Sequence, residues 1–104
     1  MCIRDSNPTE AVKNADIIYT DVWASMGQEE EHLKRKEFFE KYKVDQKLIS
    51  LADEDVIILH CLPAHRGEEI TEKVLESQRS LVFDQAENRL HVQQALLSVQ
   101  LGGL

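Results

Sequence analysis

A histidine, a thiol and a proline fall within four residues in His60-Cys61-Leu62-Pro63, at the end of the apolar run Val56-Ile57-Ile58-Leu59. The run is short, continuous and mostly β-branched, so it reads as a strand buried on both faces. Reactive groups therefore stand where a strand emerges into a loop, and in open α/β sheets ligands bind outside the carboxyl ends of the strands. Cys61 acts as a thiolate if a nearby cation lowers its pKa, and His60, His65 and Arg66 are close in sequence. The competing reading makes Cys61 a small buried hydrophobe. Proline constrains the loop and lacks an N–H, which leaves carbonyls near Pro63 to accept from an amine. Zinc needs three or four ligands, and His60, Cys61 and His65 lack familiar zinc spacing, so no metal site and no cofactor are expected.

Two further loops carry chemistry. Asp21-Val22-Trp23-Ala24-Ser25-Met26-Gly27 offers a carboxylate suited to an ammonium group. Ser25 and the backbone beside it suit a carboxylate, Met26 gives an adaptable apolar wall, and Gly27 permits a tight turn. Together they fit a free amino acid; the plainer alternative is an ordinary strand-to-helix loop capped by Asp21. In Asp84-Gln85-Ala86-Glu87-Asn88-Arg89, Arg89 falls in the expected first turn of the last helix. A cation there opposes the helix dipole, so a guanidinium among helix-start N–H groups suggests an anion or polarised oxygen. Pairing with Glu87 or a neighbouring acid is the alternative. Glu87 and Asn88 read as capping residues, and His32 and His91 as surface or packing residues on helices.

These loops need elements to position them. Asn7-Pro8-Thr9-Glu10 combines a capping side chain, proline at the first helical position and an acid three residues after the cap. A helix to about residue 15 is expected, then a strand over 16–22 and a helix over 28–42. The last of these has acids first and bases later, which complements the dipole. Asp45 caps a short helix to about 51. Strand 56–60, helix 68–76, strand 80–84 and helix 86–101 complete the alternation. Such alternation implies an α/β fold: a partial Rossmann-like parallel sheet of about three strands, flanking helices and a C-terminal helix. Parallel pairing sends the loops after all three strands out of one edge, so Asp21, Cys61 and Arg89 should converge.

The chain has 104 residues, enough for one modest core, and a net charge of −7 from 19 acids and 12 bases. That balance argues against nucleic acid or an anionic membrane surface as partner. No apolar run reaches transmembrane length, and no signal peptide is expected from the opening residues. Two cysteines are too few for a disulfide framework, and a cytoplasmic setting is expected. Residues 1–6 show no clear period and are set aside as a non-native scar segment, Cys2 among them.

Taken in order, Asp21-Val22-Trp23-Ala24-Ser25-Met26-Gly27, His60-Cys61-Leu62-Pro63 and Ala86-Glu87-Asn88-Arg89 strongly resemble the ornithine carbamoyltransferase family, from about Pro8 to about Leu97. The resemblance implies that carbamoyl phosphate and the δ-amine of L-ornithine react to give citrulline and phosphate. It implies catalytic roles for Asp21 and Cys61, with Cys61 as proton acceptor. Asp21, Ser25 and Met26 would bind ornithine, and Cys61, Leu62 and Arg89 the carbamoyl phosphate side. It also implies a parent that assembles as a homotrimer or larger. The family's S-T-R-T-R and H-P-x-Q motifs, and its G-D-x-x-N strand and loop, are absent from these residues. Residues 7–104 thus resemble the C-terminal part of an ornithine-binding domain without its carbamoyl phosphate domain, a fragment expected to be inactive alone. The alternatives are a free-standing small α/β amino-acid-binding or interaction module, and a fragment of a carbamoyltransferase for a different amine.

Overall fold

Capping chemistry sets the helix starts. In the computed structural model, which describes residues 7–25, 27 and 29–103, the Asn7 side chain accepts from the Thr9 N–H and opens α1 (Pro8–Ala11). The 1–6 segment and Met26 lie outside the described residues. Strand β1 (Ile17–Thr20) follows, then α2 (Glu29–Phe39) with a 3₁₀ turn at Glu40–Tyr42. Asp45 caps α3 (Gln46–Ile49) by accepting from the Leu48 N–H at 2.8 Å. Strand β2 (Ile57–His60), α4 (Glu72–Leu75) and α5 (Val82–Gln100) complete the chain.

The sheet has two parallel strands, paired Ile17↔Ile57 through Thr20↔His60. The expected third strand over 80–84 is reduced to a single bridge, Ile58↔Ser80. The Ile58 N–H donates to the Arg79 carbonyl and the Leu81 N–H returns to the Ile58 carbonyl. The chain then turns into α5 at Val82, four residues earlier than expected. An apolar run as short as Leu81-Val82-Phe83 does not separate strand from helix by periodicity, and here the long helix behind it prevails.

The core gathers Ile18, Val56, Ile58, Ile70, Val74, Leu75 and Val82 with Val44, Leu48 and Ile49. It lies on one face of the sheet. Ile17 and Tyr19 on the other face of β1 are 55% and 57% exposed, and Ile57 and Leu59 are only half-buried. The reading of residues 56–59 as buried on both faces is therefore corrected: the burial alternates, as for a sheet covered on one side. Helix α2 buries none of its described side chains, in line with its run of charges. Helix α5 buries only Val82, and Phe83, Leu90, Leu96, Leu97 and Leu101 are exposed.

The helix expected over 68–76 shortens to four residues. Residues 66–70 are instead held by bridges Arg66↔Ile70 and Val44↔Ile70, and the Glu69 side chain is pulled inward to meet His60.

Candidate active site

The parallel register determines the central contact. Thr20 and His60 are partners at the ends of β1 and β2, so the next residues, Asp21 and Cys61, leave the sheet side by side. The Cys61 thiol donates to Asp21 Oδ1 at 3.0 Å, and the Val22 N–H donates to the same oxygen at 2.7 Å. Both side chains are exposed. The thiol's hydrogen bond and the Val22 N–H hold the Asp21 carboxyl below its ordinary value. The same hydrogen bond, then burial and the negative charge of Asp21, push the Cys61 thiol up. A cation-activated thiolate is therefore not what this geometry provides: the nearest charge is an anion. The basic side chains nearby in sequence are engaged elsewhere. Arg66 pairs with Glu72 at 3.4 Å and Glu76 at 2.6 Å, and His65 faces Glu69.

Behind Cys61 lies a polar connection that the sequence reading did not single out. His60 is 1% exposed and Glu69 is fully buried. The Leu62 N–H donates to His60 Nδ1 at 2.8 Å, so Nδ1 is the acceptor and Nε2 carries the proton given to Glu69 Oε1 at 2.9 Å. Glu69 Oε1 also accepts from the His65 N–H at 2.8 Å. One imidazole and one carboxylate thus tie the end of β2 to both sides of the following loop. Leu62 adopts φ +54°, a conformation unfavourable for a side chain of its kind, and its N–H bond to His60 helps hold it there. Gln85 makes the second connection. Its Oε1 accepts from the His60 N–H at 3.0 Å and its Nε2 donates to the Tyr19 hydroxyl at 2.9 Å. A side-chain amide thereby occupies the place where a third strand would have continued the ladder. A signal was present, since the amide Gln85 directly follows Asp84 in the third loop.

The remaining expected residues are dispersed. Ser25 is exposed and Leu62 half-buried. Trp23 stacks on Phe39 with ring centroids 6.4 Å apart, and its carbonyl accepts from Arg35, which docks the first loop on α2. Gly27 has φ +88°, the turn conformation expected of it. Arg89 is exposed and is the eighth residue of α5, about 10 Å along the helix from its start. The expected helix-start setting for Arg89 is thus corrected, because α5 begins at Val82. Among the described residues Arg89 has no ion-pair partner, so the expected alternative of a Glu87 pair is absent; Glu87 faces His91 instead. A surface depression lined by Ile49, Asp53, Ser77 and Arg79 lies toward the amino ends of the strands, away from Asp21 and Cys61.

Residues 2–100 match the family model for the aspartate/ornithine carbamoyltransferase Asp/Orn-binding domain. The chain belongs to the aspartate/ornithine carbamoyltransferase family. It is 64% identical over 104 residues to an ornithine carbamoyltransferase of Prochlorococcus marinus, covering 100% of this chain and 32% of that protein. An ornithine carbamoyltransferase of Archaeoglobus fulgidus is 58% identical over 100 residues, covering 96% of this chain and 32% of the relative. The solved ornithine carbamoyltransferase of Pyrococcus furiosus superposes with a TM-score of 0.86 at 54% identity, over 94% of this chain and 31% of that one. The chain therefore spans about a third of the length of the relatives it matches, and the family match takes in all three loops.

Proposed function

We propose that residues 7–104 supply the ornithine-binding side of an ornithine carbamoyltransferase active site, as the C-terminal part of that domain. The reaction moves the carbamoyl group of carbamoyl phosphate to the δ-amine of L-ornithine, giving L-citrulline and phosphate. The observation that carries this reading is the Asp21–Cys61 contact, 3.0 Å long at the carboxyl ends of two adjacent parallel strands. A carboxylate and a thiol in contact suit a substrate that brings one ammonium group and one reacting amine.

In this proposal the α-ammonium of ornithine pairs with Asp21, while Ser25 and Met26 contact the amino-acid end. The incoming cation competes with the thiol for Asp21 and neutralises the charge that pushes the thiol up. Relieved of that charge, the Cys61 thiol loses its proton to solvent more readily, and the thiolate so formed is the group that accepts a proton from the attacking amine. Cys61 and Leu62 border the carbamoyl group, and the Arg89 guanidinium binds its carbonyl oxygen, where negative charge develops as the amine attacks. Positioning and electrostatics supply the acceleration, and no cofactor is required. The setting is cytoplasmic, consistent with the free thiol of Cys61, and the parent protein is a homotrimer or larger.

Two measurements test this. L-ornithine titrated calorimetrically into the chain should bind, and Asp21→Asn should weaken binding about 10- to 150-fold, from the ~1.5–3 kcal/mol of a charge-assisted hydrogen bond. Cys61→Ser should leave that affinity nearly unchanged. Citrulline formation from ornithine and carbamoyl phosphate should stay at the no-protein blank, because these residues contain no S-T-R-T-R phosphate cradle. Unchanged ornithine affinity in Asp21→Asn, or turnover well above the blank, would overturn the half-site reading.

A further inference from the structure

The loop after Cys61 holds a second constellation, on the far side of the His60 ring. His65, Glu68 and Glu69 place one ligand atom each within 4.8 Å of one another. Glu69 is fully buried, and its two oxygens are used unequally. Oε1 accepts from His60 and from the His65 N–H, whereas Oε2 is buried with no hydrogen-bond partner among the described residues. A buried carboxylate oxygen without a donor is costly unless a cation meets it. That oxygen lies 3.8 Å from His65 Nδ1, longer than a hydrogen bond. The separation is near the ~3.3 Å expected between two ligands of one tetrahedral zinc, given metal–ligand bonds of about 2.0–2.2 Å.

Glu68 completes the group from the same turn. It accepts from His32 Nε2 at 2.9 Å and from Lys36 Nζ at 3.3 Å, both on α2. Burial works to raise the Glu68 carboxyl, but these hydrogen bonds outweigh it and keep the group below its ordinary value. The His32 and His65 rings are 6.4 Å apart, centroid to centroid, and His32 stands beside the three-residue group as the donor to Glu68. Arg66, the cation of this loop, is drawn to Glu72 and Glu76.

We propose that His65, Glu68 and Glu69 form a binding site for a divalent transition-metal ion of the zinc type, with water completing the coordination. Nitrogen and carboxylate donors in this ratio suit zinc or cobalt(II) better than calcium or magnesium, which prefer oxygen throughout. Glu69 would ligate through Oε2 while Oε1 stays held by His60, which is the outer support that ligating carboxylates commonly receive. Lys36 is the competing cation, and the ion would displace it from Glu68. The site is separate from the Asp21–Cys61 contact and contains no thiolate. It lies in the β2–α4 loop, which the His32–Glu68 and Lys36–Glu68 contacts connect to α2.

The probes are zinc chloride and cobalt(II) chloride, titrated separately into the chain after removal of adventitious metal. One equivalent of zinc should bind, and cobalt(II) should show visible d–d bands without thiolate-to-metal charge transfer in the near ultraviolet. His65→Ala and Glu68→Gln alter exposed or half-buried side chains. Each should weaken zinc by at least the ~10- to 100-fold that loss of even a supporting partner costs. Circular dichroism should show both variants folded as the parent. Cys61→Ser and His91→Ala should bind as the parent does. A charge-transfer band abolished by Cys61→Ser would move the ion to the thiol and overturn the proposal. Zinc affinity unchanged in both His65→Ala and Glu68→Gln, or no stoichiometric binding at all, would do the same.

Discussion

Replacing Glu69 tests whether the buried His60–Glu69 contact holds the active-site edge together. Glu69→Leu keeps the bulk and removes the acceptor. Two hydrogen bonds to a charged oxygen are lost, from His60 Nε2 and from the His65 N–H, each worth about 1.5–3 kcal/mol. The leucine recovers part of this, because no ion then needs to be buried. Since both partners are essentially inaccessible to solvent, little is lost to screening, and a net destabilisation of about 3–5 kcal/mol is expected. A domain of this size has a total stability of roughly 5–15 kcal/mol, so the loss is a large fraction of it. With a urea m-value of about 2 kcal/mol/M, the midpoint should fall by about 2 M. Glu69→Gln is the control. Its amide oxygen accepts from the same two donors without a charge, at an expected cost of only about 1–2 kcal/mol. Urea titrations followed by circular dichroism, in EDTA and at high dilution, would measure both. A Glu69→Leu chain within about 1 kcal/mol of the parent would refute the reasoning, as would a glutamine variant as damaged as the leucine one.

Further predictions concern reactivity and association. The raised Cys61 thiol favours its neutral form, so any stability it contributes is present at low pH and lost as pH rises through its folded value. Asp21 acts with opposite sign: its contribution is present above the ordinary carboxylate range and lost on acidification through its lowered value. In a Cys2→Ser background, alkylation of Cys61 by iodoacetamide should have a midpoint above that of an ordinary thiol. Asp21→Asn should move it down and speed the reaction several-fold at neutral pH; an unmoved midpoint would remove Asp21 as the cause. The exposed side chains Leu90, Leu96 and Leu97 of α5 and the adjoining Leu101, with Ile17 and Tyr19 on the open sheet face, should make the chain self-associate at micromolar concentration. Light scattering should show this, and Leu90→Lys with Leu97→Lys should reduce it; a monodisperse parent with a sharp melt would contradict the expectation.

Local patterns carried much of the architecture. Asn7 and Asp45 are caps whose side-chain chemistry acts within three residues, so they were legible without a fold. The run 56–60 and the alternation of elements gave a parallel α/β chain, and the positions of Asp21 and Cys61 at strand ends followed from it. Their 3.0 Å contact could be expected as convergence, but not as a pairing, because register is a property of two strands together.

Competition between distant groups decided the rest. Residues 80–84 have the composition of a strand, yet helix α5 starts at Val82 and Gln85 takes up the His60 N–H that a third strand would have used. Arg89 therefore stands in the body of the helix rather than at its start. The electrostatic state of Cys61 was decided in the same way. Histidine and arginine neighbours in sequence suggested a thiolate, but Arg66 turns to Glu72 and Glu76, and the His60 Nε2–H donates a hydrogen bond to Glu69. The group left facing the thiol is Asp21, forty residues away along the chain. Residue types determined which chemistry was available here. Tertiary structure decided which charges meet, because an electrostatic interaction depends on distance through space and on burial, and neither is written in the spacing of the sequence.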